Sequence, residues 1–199
     1  MKVRRSIVIG ITACLLAVHG YAGAGGVFEI ATKPSLKFAE GGNVYKMGQA
    51  MADFLSSFGP AEIIKEDTYA GFNAQHFTKD EYSRQYLAYT KSHYYVNDGV
   101  IITEDKEGRI RSIIFYVMGD NTLKNANVKT QEGITRGASL REIVKTYGEP
   151  FKKKEKISIL GYQDTQIYYR YGDDVLSFRF RDGVLETINM HAGYLPYLK

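Results

Sequence analysis

The sequence predicts an α+β fold made of two tandem repeats, each a short helical layer packed on an antiparallel sheet. Three observations carry that reading. The run G-Q-A-M-A-D-F-L-S-S-F-G from Gly48 matches G-A-S-L-R-E-I-V-K-T-Y-G from Gly137 without a gap, at an offset of 89 residues. The run from Tyr94 to Ile113 matches the run from Tyr169 to Ile188, again ungapped, at an offset of 75, so the first copy carries 14 extra residues between Gly59 and Tyr94. Each helical stretch is followed by alternating segments, punctuated by turn residues, that read as strands. Repeats of this size mark supersecondary units that share a core by lying side by side.

The chain opens on a basic start, Met1 to Arg5, followed by an almost wholly apolar stretch from Ser6 to Val18 and the small residues Ala22-Gly23-Ala24. That order is the pattern of a secretory signal over 1–24, too short for a comfortable membrane span. Cys14, the single cysteine, lies inside the apolar stretch. Ile11-Thr12-Ala13-Cys14 has the form of a lipobox, in which a lipid on Cys14 would tether the chain to a membrane. The competing reading is an ordinary signal core, favoured because Leu15 to Val18 stays apolar where a lipoprotein turns polar. The expected destination is therefore periplasmic or secreted, with an outer-membrane lipoprotein as the lesser reading. Membrane attachment is expected only if Cys14 is lipidated.

Removing the signal takes away Lys2, Arg4 and Arg5 but no acid, so the formal charge falls from +4 to +1. Without a strong positive balance there is no electrostatic reason to expect a nucleic-acid partner. With Cys14 removed no thiol or disulfide remains, and stability must come from burial alone.

The first repeat spans 25–118. Its leader has strand-like patches at Val27 to Ile30 and Leu36 to Phe38. Met47, Met51, Phe54, Leu55 and Phe58 then fall at helical spacing, and Gly59-Pro60 closes the helix. The extra residues fall at about 69–86, and Gly119 to Glu132, polar and rich in Asn, Lys and Thr, reads as a linker. The second repeat spans 133–199. Its helix has Leu140, Ile143, Val144 and Tyr147 on one face, Gly148 and Pro150 as stop, and Ser139 with Glu142 as a capping box. Ala50 replaces that serine in the first copy, which predicts a weaker start by ~1 kcal/mol. Strands follow at Phe151 to Ile157, Tyr162 to Tyr171, Val175 to Phe180 and Val184 to Asn189, with Asp182-Gly183 a strong hairpin signal.

The pattern Gly137-x-Ser139-x-x-Glu142-Ile143-x-x-x-Tyr147-Gly148-x-Pro150, then Leu176-x-Phe178-x-Phe180 and Gly183-Val184-x-x-x-Ile188, carries a family likeness. It resembles the helix-plus-hairpin module shared by the SmpA/OmlA (BamE-type) outer-membrane lipoproteins and the β-lactamase inhibitory protein. Two tandem copies look most like the inhibitory protein, and the likeness spans about Tyr45 to Asn189. It implies a sheet with helices on one side and an open, aromatic-rich face on the other, the face with which the inhibitory protein grips an enzyme. This chain departs from that pattern in having no cysteine pair, no tryptophan, and an insertion in its first copy.

Sixteen tyrosines, many in expected strands, suit a binding face, since each gives a large ring at low entropic cost. Tyrosine is also a good strand former, so the pattern admits a purely structural reading. The expected partner-binding cluster is Tyr95, Tyr168, Arg170, Arg179 and Arg181, with another protein as partner. The oligomeric state is not legible. No catalytic residue is assigned. His76, His93 and His191 lack metal-ligand spacing, Gly137-Ala138-Ser139 opens a helix instead of a nucleophile elbow, and Asp173-Asp174 sits in a tight turn. Neither metal nor cofactor is expected. The resulting expectation is an exported non-enzymatic binding module, an inhibitor or an envelope-assembly scaffold. The alternative is a small-ligand or peptide-binding protein with a pocket between the repeats.

Overall fold

A computed structural model describes residues 26–67, 90–119, 123–157 and 161–193. The expected signal, Cys14, the insertion at 69–86, His76, Tyr86 and Tyr89 lie outside the described residues. The chain is mostly β, with an eight-stranded antiparallel sheet, a four-stranded mixed sheet and two helices, α1 (Met51–Phe58) and α2 (Leu140–Tyr147), among the described residues.

Eight strands form the larger sheet. They are β4 (Ile63–Asp67), β5 (Thr90–Tyr95), β6 (Val100–Glu104), β7 (Ile110–Tyr116), β9 (Lys152–Ile157), β10 (Gln163–Tyr171), β11 (Asp174–Arg181) and β12 (Val184–His191). Their spatial order is β4-β5-β6-β7-β12-β11-β10-β9, so each helix is followed by a four-stranded meander and the two last strands meet in the middle. At that seam Ile188 lies opposite Phe115 and Met190 opposite Ile113, on either side of the Asn189–Ile114 pair. Swapping residues 75 apart leaves this pairing unchanged.

The smaller sheet, order β3-β2-β1-β8, comes from the leader and the connecting segment: β1 (Phe28–Ala31), β2 (Lys37–Glu40), β3 (Asn43–Lys46) and β8 (Val128–Thr130). Both expected leader strands are present. The segment expected as a plain linker contributes β8, which runs parallel to β1. Val128 and Thr130 are buried while Lys129 is exposed, so its period-two pattern was too short to stand out among polar neighbours.

The core lies between one face of the large sheet and a layer made of α1, the small sheet and α2. Phe28 and Phe38 of the small sheet approach the Phe115 ring on β7 at 5.3 and 5.6 Å. Phe54 and Phe58 of α1 stack at 4.8 Å, and Phe58 meets Tyr95 edge-on at 4.9 Å. Tyr147 of α2 packs on Tyr169 and Phe178 at 5.3 and 5.5 Å. Offset and edge-on pairs of this kind add to the gain from burying ring area.

The helix ends follow their chemistry. Ser139 Oγ accepts from the Glu142 N–H and Glu142 Oε2 accepts from the Ser139 N–H, the reciprocal box expected from the sequence. Ala50 offers no side-chain cap to α1. There the Met51 N–H donates instead to the Gly108 carbonyl at 2.7 Å, in the turn between β6 and β7. The missing serine is thus offset by backbone from a hairpin far away in sequence. Asp182 (φ 49°) and Gly183 (φ 78°) both adopt positive φ, as a two-residue type I′ hairpin requires.

Candidate functional site

All described elements outside the large sheet lie on its inner face, so no described strand or helix covers the outer face. Pairing fixes which side chains project there. Tyr168 aligns with Ser177 and Lys152, Gln166 with Arg179 and Lys154, and Asp164 with Arg181 and Lys156. Because side chains alternate along a strand, Tyr168, Arg170, Arg179 and Arg181 share this outer face. Four of the five expected partner-binding residues are therefore brought together.

Tyr95 is not among them. It faces inward, only 2% exposed, against Phe54 and Phe58, and its hydroxyl donates to the Gly59 carbonyl at 3.0 Å. The reason is register. The ungapped alignment set Tyr94 against Tyr169, which put Tyr95 in line with the outward Arg170. In the fold it is Tyr169, not Arg170, that makes a bond like that of Tyr95, its hydroxyl donating to the Gly148 carbonyl at 3.0 Å. Tyr95 pairs with Val100 across a four-residue turn, whereas β10 continues beyond Tyr169 to a two-residue turn at Gly172-Asp173. A slip of one residue moves a side chain to the opposite face of a sheet.

Tyr168 lies on the outer face but is only 4% exposed. The Phe151 ring stands 6.3 Å away and Lys154 Nζ lies 5.7 Å above its ring. Burial pushes its hydroxyl pKa up to about 12, against the opposing pull of Arg179. Arg170 is exposed, with its guanidinium 5.0 Å from the Phe151 ring, and Arg181 stands over Tyr162 at 5.5 Å. Cations over ring faces of this kind hold their orientation without losing contact with water.

Two buried carboxylates organise the arginines. Arg179 donates to both oxygens of Asp164 at 3.2 and 3.3 Å and lies 3.4 Å from Glu186. Arg181 reaches Glu186 at 2.6 Å, and Lys156 approaches Asp164 at 4.0 Å. Glu186 reaches them because the β11–β12 ladder shifts register between Arg179 and Phe180, an irregularity of the kind that re-aims side chains.

Beside this network lies a groove of about 850 Å³ whose floor includes Gln166, Asn189 and His191. Ser177, fully buried, accepts from Gln166 Nε2 and Asn189 Nδ2, each at 3.3 Å. The buried Oδ1 of Asn189 has no protein partner. Desolvation holds His191 down at about 4, so it is neutral near pH 7. Sequence reasoning overlooked Gln166, Asn189 and the two acids, and weighed His191 only as a metal ligand. Their signal was present as polar residues at alternate positions, Asp164-x-Gln166-x-Tyr168-x-Arg170 and Ser177-x-Arg179.

No protein-family model and no curated protein matches the sequence. Among solved structures, the chain is similar to the DUF4309 family protein YjgB from Bacillus subtilis, at 17% identity and a TM-score of 0.41. That match covers 72% of this chain and 78% of the other. It is also similar to a candidate beta-lactamase inhibitor protein from Streptococcus mutans, at 14% identity and a TM-score of 0.25, covering 73% and 84%. Neither likeness is close enough to carry an argument about activity or partner.

Among the described residues no group of three or more His, Cys, Asp or Glu side chains is placed to hold a metal ion. In the same residues no helix is long and apolar enough to cross a membrane. Chemically, the outer face offers fixed cations, aromatic edges and a hydrogen-bonding floor.

Proposed function

We propose that this chain is an exported, non-enzymatic protein-binding module that grips another protein with the outer face of its eight-stranded sheet. Inhibition of an envelope or secreted enzyme and scaffolding of envelope assembly are the two forms such a role takes. The observation that carries the reading is the one-sided sheet. Helices and the small sheet line one face, while Tyr168, Arg170, Arg179 and Arg181 gather on the other, the first two against Phe151 and the last two held by Asp164 and Glu186. Aromatic and arginine side chains held in place by their neighbours are the residue types that dominate binding energy at protein interfaces.

A duplicated scaffold belongs to the same proposal. Supporting it are the matched helix–meander order, the seam symmetric about Asn189 and Ile114, and the two tyrosine hydroxyls that each tie a strand to a helix-ending glycine. The kinship with SmpA/OmlA and β-lactamase-inhibitory modules is part of this reading, as is the cleaved export signal.

The second reading, a small-ligand or peptide site, draws on the groove and on the unpartnered Asn189 Oδ1 at its floor. Small-molecule sites enclose most of their ligand. This groove is bordered by the exposed lysines of β9, which suits a protruding protein segment better.

Site-directed photocrosslinking separates the two. A photoreactive residue at Tyr162 or Ile63, both exposed on the outer face, should crosslink one envelope or secreted protein. The same residue at Val44, exposed on the far side of the small sheet, should not. Equal crosslinking from Val44, or none from the outer face, removes the proposal.

A further inference from the structure

The outer face is divided in two. One row of paired positions runs from Lys152 and Tyr168, through Asn189, to Ile114, Tyr94 and Ile63. On the β9–β12 half, Lys154, Lys156, Arg170, Arg179 and Arg181 accompany Lys152. Among the described residues, the carboxylates that the ion-pair geometry places among them are Asp164 and Glu186, both engaged with arginine, while Glu155 at the groove's border is paired with Lys153. Six cations thus face two acids. On the other half the same row becomes apolar. Ile63 is 39% exposed, Tyr94 and Ile114 are half-buried, and Ile101 lies between them in register. The middle of the row is Asn189, whose buried Oδ1 has no protein partner.

This pattern deepens the protein-binding reading and rests on it. We infer that the partner meets the face with a single protein segment, acidic where it crosses β9 and β10 and apolar where it crosses β6 to β4, with a donor opposite Asn189. Eight strands at the usual spacing of about 4.8 Å make a row about 34 Å long, which about ten residues of extended chain would cover. Charge complementarity selects the acidic half and desolvation of the isoleucines the apolar half. A uniform polyanion fits less well. Nucleic acid or an anionic headgroup layer would set phosphates against Asp164 and Glu186 and leave the apolar half without a counterpart.

The test uses the mature chain and a fluorescein-labelled decapeptide of five acidic residues followed by five apolar ones. A second decapeptide has the same composition with the two kinds alternating. Anisotropy should show the block peptide binding at least tenfold more tightly than the alternating one. Combined Lys152→Glu and Lys154→Glu should weaken it tenfold or more, and Ile63→Ser about threefold, with thermal unfolding confirming that each variant is folded. Phosphatidylglycerol vesicles and a twenty-nucleotide oligothymidylate should fail to displace it. Equal binding of the two peptides, no binding of either, or displacement by vesicles or oligonucleotide would overturn the assignment. If crosslinking from Tyr162 and Ile63 persists in that case, the protein-binding reading stands and only the acidic–apolar chemistry falls.

Discussion

Tyr169 donates its hydroxyl proton to the carbonyl oxygen of Gly148 at 3.0 Å, joining β10 to the glycine that caps the C-terminus of α2. Tyr95 makes the same bond to Gly59 at the end of α1, also at 3.0 Å. Each bond satisfies a carbonyl that the helix itself leaves without a partner, and each ring packs on the helix it anchors. Removing the hydroxyl leaves that acceptor unsatisfied in a partly buried place. Tyr95→Phe and Tyr169→Phe should each cost about 1 kcal/mol in urea unfolding. Tyr95→Ala, which also empties a site among Phe54 and Phe58, should cost about 3–5 kcal/mol. An unchanged urea midpoint for Tyr95→Ala would contradict its inward placement.

The start of α2 rests on side chains, whereas the start of α1 rests on the Gly108 carbonyl. Ser139→Ala should therefore destabilise the chain by about 1 kcal/mol, the usual value of an N-cap. The backbone and side-chain hydrogen bonds from Ser139 hold the Glu142 carboxyl below its ordinary range. Its contribution is then present above the ordinary glutamate pKa and fades as pH falls through the lowered one. Chemical denaturation of Ser139→Ala at pH 7 and in strong acid should show the difference from the parent chain narrowing at low pH.

Much of this architecture was legible because period, caps and turns agreed with one another. Glycine with proline ended both helices, Ser139 with Glu142 opened one, and Asp182-Gly183 placed a hairpin where the backbone makes a type I′ turn. What could not be read depended on contacts distant in sequence. The cap of α1 comes from Gly108, 57 residues beyond Met51 in sequence, and β8 exists only because β1 lies beside it. The outward set of the second meander followed from strict alternation in one long strand. Tyr95 was misplaced because two hairpins with turns of different length cannot share an ungapped alignment, and one residue of slip reverses the face.

Acid should act on the chain through two groups of opposite sign. Burial holds His191 at about 4, below the ordinary 6.5, so the unfolded chain binds the extra proton between those values. Stability tied to His191 is full above pH 6.5 and is lost as pH falls toward 4, by about 1–3 kcal/mol. Asp98 moves the other way. Burial, with the nearby charges of Glu62 and Glu40, raises it to about 6, so the folded chain holds its proton longer and gains stability as pH falls from 6 toward 4. Asp98→Asn should therefore raise stability at pH 7 by about 1 kcal/mol and abolish that gain. His191→Gln should flatten the opposing loss. Melting temperatures of the three chains from pH 4 to 8 test both signs, and parallel curves for all of them would refute the assignment.

Tyr168 and Arg170 share the outer face but stand in different surroundings, and the difference separates structure from recognition. Tyr168 is packed against Phe151 and beneath Lys154, while Arg170 extends into solvent over the Phe151 ring. Tyr168→Ala should cost about 2–4 kcal/mol, because it removes a buried ring and exposes its neighbours. Arg170→Ala should stay within about 0.5 kcal/mol of the parent chain, as surface changes do. If the outer face is the binding surface, Arg170→Ala should weaken partner capture at least fivefold without moving the melting temperature. Tyr168→Phe keeps the ring and should retain nearly all the stability, so a binding loss in that variant isolates the hydroxyl. A stable Arg170→Ala chain that binds its crosslinked partner at full strength would show that the interface lies elsewhere on the sheet.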